Sequence, residues 1–391
     1  MKPGYKQTGV GAIPEQWDAK PLKGRVSITH GFAFSSKYFA SNGLFRLTTP
    51  GHFHEGGGFR DIGEKQKFYT GPVPSNYVLQ PGDLIVAMTE QAEGLLGSAA
   101  FIPDVVGYLH NQRLGRVRTL LSKVYLDYLF WVFNSGSYRT KVRETAAGTK
   151  VKHTSPKKLL EIPVRLPPES EQRRIAEALS DVDELLGGLE RLIAKKSDLK
   201  QASMQQLLTG RTRLPRFHGE WEAKGLRDFA RFLSGTYLAR EDYQDGEFEV
   251  QGAGSIMGKH TAANFPEPIS VIGRVGTVGR PRFMPKGCWV NNNAAGVAAI
   301  PGVAVPSFVH LLLTTVDWSK VMSVTAQPFL VIEALMGVTF SLPKLAEQTA
   351  IAEVLTDMDA ELSALERRRS KTRDIKQAIM QELLTGKTRL V

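Results

Sequence analysis

Cysteine is nearly absent: Cys288 is alone among 391 residues, which excludes an internal disulfide and, with no second thiol, argues against a structural zinc site. Cys288 therefore reads as a small packed hydrophobe. Long apolar runs are also missing, the best being short pieces such as 308–313, whereas a membrane-spanning helix needs roughly 18 residues. The first residues carry positive charge with no apolar stretch behind it, so no secretory signal is expected and a cytoplasmic protein is. The eight histidines show no metal-ligand spacing. His52 and His54 sit together in a glycine-rich loop without a third ligand. The only Pro-Pro pair lies in Leu-Pro-Pro-Glu, so the Asn/Asp-Pro-Pro-aromatic motif of DNA methyltransferases is absent. Glu222-Ala-Lys224 has locally the shape of a metal-dependent nuclease motif. Its counterpart is Asp18-Ala-Lys20, each just after a tryptophan, and packing is the better reading.

What is present is ordinary globular composition, 42% hydrophobic, 23% charged and 9% aromatic, in a chain long enough for two or three domains. A self-comparison decides the architecture. Residues 166–214 recur as 342–390 at an offset of 176 without a gap, and more than half of the positions are identical, including Glu-Gln at Glu171 and Glu347 and the Leu-Leu-Thr-Gly block. A second match has an offset of 204: Trp17-Asp-Ala-Lys20 aligns with Trp221-Glu-Ala-Lys224, and Gly31 with Gly235. The two offsets differ by 28, so the first globular segment is longer than the second by that amount. The chain divides into a first globular domain (1–165), a first helical segment (166–214), a second globular domain (215–341) and a second helical segment (342–391).

The repeated segment reads as a helix of some 38 residues, about 57 Å long at 1.5 Å per residue. Pro167 and Pro168 precede it, acids occupy its first turn, and Gly210 or Gly386 closes it. Ile175, Leu179, Val182, Leu186, Leu189 and Ile193 alternate steps of four and three, the pattern of a coiled-coil seam. The second copy offers Ile351, Leu355, Met358, Leu362 and Leu365, is interrupted at Arg367 to Arg369, and resumes at Ile375, Ile379 and Leu383. The two seams can cover each other in antiparallel fashion. The alternative is two amphipathic helices, each packing on its own domain. The fold class expected is α+β, with an internal pseudo-twofold repeat.

The formal charge of +11 suggests a polyanionic partner. Its distribution is uneven: 22 basic against 12 acidic residues in 1–165, and 11 against 11 in 215–341. The helical segments are nearly balanced. In the first domain a basic cluster holds Arg139, Lys141, Arg143, Lys150, Lys152, Lys157, Lys158 and Arg165. In the second, Lys259, Arg274, Arg280, Arg282 and Lys286 form a smaller one. Basic side chains on phosphates supply affinity, and amides, hydroxyls and arginines at base edges supply sequence choice. The candidate DNA-contacting residues of the first domain are His52, His54, Thr89, Gln91, Asn111, Gln112, Arg113, Lys150, Lys152 and His153. Those of the second are Lys259, His260, Arg274, Thr277, Arg280, Asn292 and Gln327. The loops after 84–88 and 269–272 should occupy corresponding positions, as should those after 108–109 and 288–290. Gly273-Arg-Val-Gly-Thr-Val-Gly-Arg280 is not followed by a helix pattern and lacks the Walker lysine and hydroxyl pair, which weighs against nucleotide binding. A solvated basic face without a ligand is the plain alternative for either cluster.

Three motifs carry a family resemblance: the opening Gly-Ala-Ile-Pro-Glu-Gln-Trp17, the junction Leu-Leu-Thr-Gly-Arg-Thr-Arg-Leu-Pro-Arg-Phe-His-Gly-Glu-Trp221, and Leu-Pro-x-x-x-Glu-Gln before each helix. Together with the repeat, they make the whole chain resemble the specificity subunits of type I restriction-modification systems. The resemblance implies that each variable domain is a target-recognition domain reading one half of a split double-stranded DNA target, with the helices as an antiparallel spacer. It implies two methyltransferase subunits docked beside the helices, nuclease-translocase subunits joining for cleavage, and no catalysis by this chain. No cofactor is then expected here, since methyl donor and ATP belong to the partners. A coiled-coil scaffold and a stand-alone DNA-recognition protein are the competing readings.

Overall fold

The computed structural model describes residues 3–90, 94–323 and 328–391, and the chain forms two compact units, Met1–Gly188 with Arg369–Val391, and Leu189–Arg368. Gln91 and Gln327 lie outside the described residues. No helix among those described is long and apolar enough to cross a membrane.

In the first unit a four-stranded sheet runs in the order Ala99–Phe101, Leu84–Ala87, Leu114–Thr119, Val26–His30, all neighbours antiparallel. Leu84–Ala87 is buried along its whole length, as expected of an unbroken apolar run with a covered face on both sides. A second sheet pairs Tyr108–Leu109 in parallel with Phe45–Leu47 and continues through Phe68–Tyr69 to Phe39–Ala40. The helices Leu126–Asn134 and Gly136–Glu144 bury Tyr128, Leu129, Phe133 and Tyr138 in the main core with Trp17.

The second unit repeats this plan. Its sheet runs Ala230–Ser234, Ala294–Ala299, Ile269–Gly273, Arg282–Met284, and its parallel pair is Phe248–Gln251 with Trp289–Val290. Most of the extra length of the first domain has an address. Between Leu47 and Leu84 the chain takes about twice as many residues as between the equivalent Gln251 and Ile269. The surplus forms the short 3-10 turns Pro50–His52 and Gly63–Lys65 and their flanks.

Two long helices, Glu169–Leu207 and Leu345–Thr385, match the repeated segment. Each starts on a buried glutamine that substitutes for missing helical partners. Gln172 accepts from Tyr125 N–H (2.9 Å) and donates to the carbonyls of Lys123 and Pro167 (2.9 Å each). Gln348 accepts from Val305 N–H (2.9 Å) and donates to Val303 (3.1 Å) and Pro343 (2.9 Å). Beyond each end, Gly210 (φ 70°) and Gly386 (φ 74°) adopt the left-handed backbone that stops a helix at little cost.

Within each unit the two helices lie side by side in opposite directions. In the first, Leu383 and Leu384 share a core with Ile175 and Leu179, while Lys376 pairs with Asp183. In the second, Leu207 and Leu208 share a core with Ile351 and Leu355, while Lys196 pairs with Glu361 (2.7 Å) and Lys200 with Asp359 (2.5 Å).

The seam therefore has two parts, tightly buried near the domains and looser towards the middle of each helix. Ile175, Leu179, Ile351 and Leu355 are at most 1% exposed because the globular domain covers them. Farther along, Leu186 and Leu189 are buried, Met358 is half-buried against the second core, and Val182, Leu362 and Leu365 are half-buried. Past the arginines, Ile375 is 43% exposed and Thr372 is buried in its place, while Leu383 is buried and Ile379 packs against the same core, so the seam resumes there.

Candidate nucleic-acid interface

In the first unit the predicted loops converge. Asn111–Leu114 is a β-turn closed by Leu114 N–H donating to Asn111 O (2.9 Å), and Asn111 Oδ1 accepts from Arg113 N–H (3.1 Å). The strand Thr89–Glu90 pairs with Lys152–His153. Glu90 is 4% exposed; its carboxylate accepts from the N–H groups of Gly94 (3.2 Å), Leu95 (2.9 Å) and Leu96 (2.7 Å), fixing the loop. A cleft of about 640 Å³ is lined by Thr49, Lys65, Lys67, Thr89, Asn111, Gln112 and Arg113 together with apolar residues such as Phe34 and Ile62. Thr49, Lys65 and Lys67 line the cleft but were not among the candidate residues, since they sit in no motif. The only available signal was the 28-residue length difference between the domains.

Several basic or imidazole groups prove to be framework. His52 is 1% exposed; Thr49 N–H donates to its Nδ1 (3.1 Å), and its Nε2 donates to Gln66 Oε1 (2.9 Å). Burial lowers its pKa, the Gln66 and Thr49 hydrogen bonds opposing. Both nitrogens are thus engaged inside the protein, so His52 supports the loop rather than reaching a base, which corrects its assignment as a DNA-contacting residue. His54 is exposed. His110, 1% exposed, donates from Nε2 to Leu114 O (3.0 Å), and burial pushes its pKa down to about 4. Arg139 is 7% exposed and holds the carbonyls of Glu55 and Gly94, and Arg165 holds that of Val10. Both leave the surface cluster because they stitch loops together. Lys158 spends its ammonium on Thr145 O (2.6 Å). Lys150, Lys157 and His153 are exposed and Lys152 half-buried.

The second unit builds the same surface from different residues. Asn291–Ala294 is a β-turn closed by Ala294 N–H donating to Asn291 O (2.9 Å). Asn291, 3% exposed, donates to Leu238 O (3.1 Å) and accepts from Asn292 N–H (2.7 Å). Arg274 N–H donates to Asn293 O (2.9 Å), as Met88 N–H does to Arg113 O (3.0 Å), so the loops after Leu84–Ala87 and Ile269–Gly273 do correspond. The glycine-rich loop folds back on itself: a Cβ on Gly273 would lie 1.8 Å from Thr277 O, and a strand follows rather than a helix. Thr277, Arg280 and Lys259 are exposed, while Arg274 and His260 are half-buried; His260 packs against Trp289 with ring centres 5.0 Å apart. Arg282 is tied to Gly252 O. Cys288 is buried, and burial raises its thiol to about 12.

The carboxylate-lysine motifs are exposed ion pairs, Asp18 with Lys20 (3.0 Å) and Glu222 with Lys224 (2.9 Å), on equivalent strands. Among the described residues no group of three or more His, Cys, Asp or Glu side chains could hold a metal ion.

Comparison with known proteins bears directly on this arrangement. The family model for the type I restriction modification DNA specificity domain matches twice, over residues 14–196 and 218–372. A putative type I restriction enzyme MjaX specificity subunit of Methanocaldococcus jannaschii is 23% identical over 99% of this chain and 97% of its own. The MjaVIII specificity subunit of the same organism is 27% identical, the match spanning 54% of this chain and 49% of that relative. The EcoBI specificity subunit of Escherichia coli is 28% identical across 52% of this chain and 41% of its own length. In fold, the chain is similar to the type I restriction-modification S subunit from M. genitalium, with a TM-score of 0.66 at 16% identity over 98% of this chain and 99% of that one. A chain from a study of complex assembly and conformational transition of the type I R-M system gives 0.55 at 18% identity, covering 96% and 99%.

Proposed function

Because the chain belongs to the type I restriction-modification DNA specificity family, we propose that it reads a split double-stranded DNA target, one half with each globular domain (1–165 and 215–341), and has no catalytic role. The single observation carrying this reading is that both units build the same turn, Asn111–Leu114 and Asn291–Ala294, and expose different side chains at its two central positions.

In this reading Lys65, Lys67, Lys150, Lys152 and Lys157 bind phosphates in the first domain, with His54, Thr89, Gln91, Asn111, Gln112, Arg113 and His153 near base edges. In the second, Lys259, Arg274 and Arg280 bind phosphates, with His260, Thr277, Asn292 and Gln327 near bases. The helices (166–214 and 342–391) set the distance between half-sites and dock two methyltransferase subunits, through which nuclease-translocase subunits join. Methyl donor and ATP are carried by those partners. Leu185, Leu192 and Leu199 support a docking role: they recur every seven residues on the first long helix and are 45%, 39% and 47% exposed, more apolar surface than a solvent-facing helix needs.

The test is genome-wide mapping of methylated bases in a host with and without this chain, alongside co-purification. A two-part motif with a constant gap, dependent on the chain, is the expected result. An unchanged methylation map with no methyltransferase co-purifying overturns the proposal.

A further inference from the structure

We infer that residues 112 and 113 in the first domain, and 292 and 293 in the second, are the interchangeable base-selecting pair of each domain, Arg113 choosing guanine and Asn292 with Asn293 choosing adenine. This rests on the DNA-reading role proposed above and specifies how it is performed.

The argument starts from what holds the turn. Asn111 and Asn291 occupy its first position, and each closes it with a 2.9 Å backbone bond to the fourth residue. A Cβ on Gly31 would lie 2.2 Å from Asn111 O, and one on Gly235 would lie 2.1 Å from Asn291 O, so a glycine backbone is pressed against each turn from behind. The third residue's carbonyl is held by the adjacent loop, Arg113 O by Met88 N–H and Asn293 O by Arg274 N–H. Every one of these interactions is made by backbone, by the first asparagine or by glycine. The two central side chains contribute none of them: Gln112, Arg113, Asn292 and Asn293 are all exposed, and among the described residues their side chains have no hydrogen-bond or ionic partner. The turn is a socket whose fold does not depend on what it displays.

The displayed groups differ in what they can read. Arginine presents two parallel N–H donors that match guanine O6 and N7, whereas asparagine or glutamine offers one donor and one acceptor that match adenine N6 and N7, in the major groove in each case. In the first domain Gln112 and Arg113 also border the cleft with Lys65 and Lys67, which places cations beside the reading pair where a phosphate backbone would run.

The experiment exchanges the pairs. The full chain, with any methyltransferase that co-purifies, selects from a random double-stranded DNA pool, and sequencing gives both half-sites. Gln112→Asn with Arg113→Asn should lower the preference for guanine at one base pair of one half-site, about 10- to 100-fold for a bidentate pairing, and shift it to adenine. Asn292→Gln with Asn293→Arg should make the reverse change in the other half-site only. The untouched half-site, still enriched from the same pool, reports that the variant folds. Half-sites recovered unchanged from both variants, or abolished together, overturn the inference. A wild-type chain that enriches no sequence overturns the DNA-reading role itself, so the two failures are distinguishable.

Discussion

Arg389 grips Glu171 with two parallel hydrogen bonds, Nε to Oε1 at 2.6 Å and Nη2 to Oε2 at 2.8 Å, across 218 residues of chain. Trp17 Nε1 donates to the same carboxylate at 2.9 Å, and the guanidinium lies 5.8 Å from the Trp17 ring. The second unit repeats the device with Arg213, Glu347 and Trp221: 2.5 and 2.6 Å for the arginine, 3.2 Å for the indole. In each unit, the residue that ends one long helical segment is thereby locked to the start of the other and to the domain's opening tryptophan.

The first prediction follows from burial. Glu171 is 2% exposed, so Arg389→Met leaves a carboxylate in the interior with only the indole and a weak backbone hydrogen bond, costing about 1–3 kcal/mol. Arg389→Lys should restore less than half, because an ammonium cannot form the paired geometry. Urea titration measures both, and an unchanged midpoint for Arg389→Met would refute the role.

Acid should weaken the fold through its buried imidazoles. His110 and His310 are each depressed by burial to about 4 from an ordinary 6.5. Between those values the unfolded chain binds more protons than the folded one, so stability is full near neutrality and falls as pH drops from about 6.5 towards 4. The loss per histidine is about 2 kcal/mol near pH 5. Denaturant midpoints at pH 7.5 and 5.0 should differ, and His110→Gln should remove its share of that difference.

Salt dependence should be carried mainly by the first domain. Neutralising Lys150, Lys152 and Lys157 is expected to flatten the dependence of log K on log salt by about 0.9 for each phosphate that is no longer neutralised. Lys259, Arg274 and Arg280 should matter less. Binding isotherms from low to high salt compare the two sets, and equal effects would remove the asymmetry. Lys158, already committed to Thr145 O, should contribute little.

The distance between half-sites should track helix length. Inserting four residues at matching points in both long helices adds about 6 Å to each, equivalent to roughly two base pairs. A recognition gap that stays constant in such a variant would show that the helices do not set it.

Much of this organisation was legible because repetition and helix punctuation are local. Pro167, Pro168, Gly210 and Gly386 mark the helix ends in sequence as they do in structure. The loops flanking equivalent strands were recognisable from apolar runs alone. Roles that depend on distant partners were not. Arg139 and Lys150 look alike in a basic stretch, yet one is buried against two carbonyls and the other exposed. Ile175 and Val182 follow one heptad rule, but the first is buried in the domain core and the second is only half-buried.

The sequence by itself determined that this protein is two copies of one plan, because a repeat of this length needs no geometry to be recognised. It also determined where the long helices begin and end, since proline and glycine act on backbone angles within a few residues. Only the tertiary structure decided that the Glu-Gln pair in the first turn of each long helix is a lock, because the arginine and tryptophan that complete it lie at least 126 residues from the glutamate in sequence. It likewise decided which cations remain available for an anionic partner, since a long basic side chain serves a carbonyl or the solvent according to what folding brings within its reach.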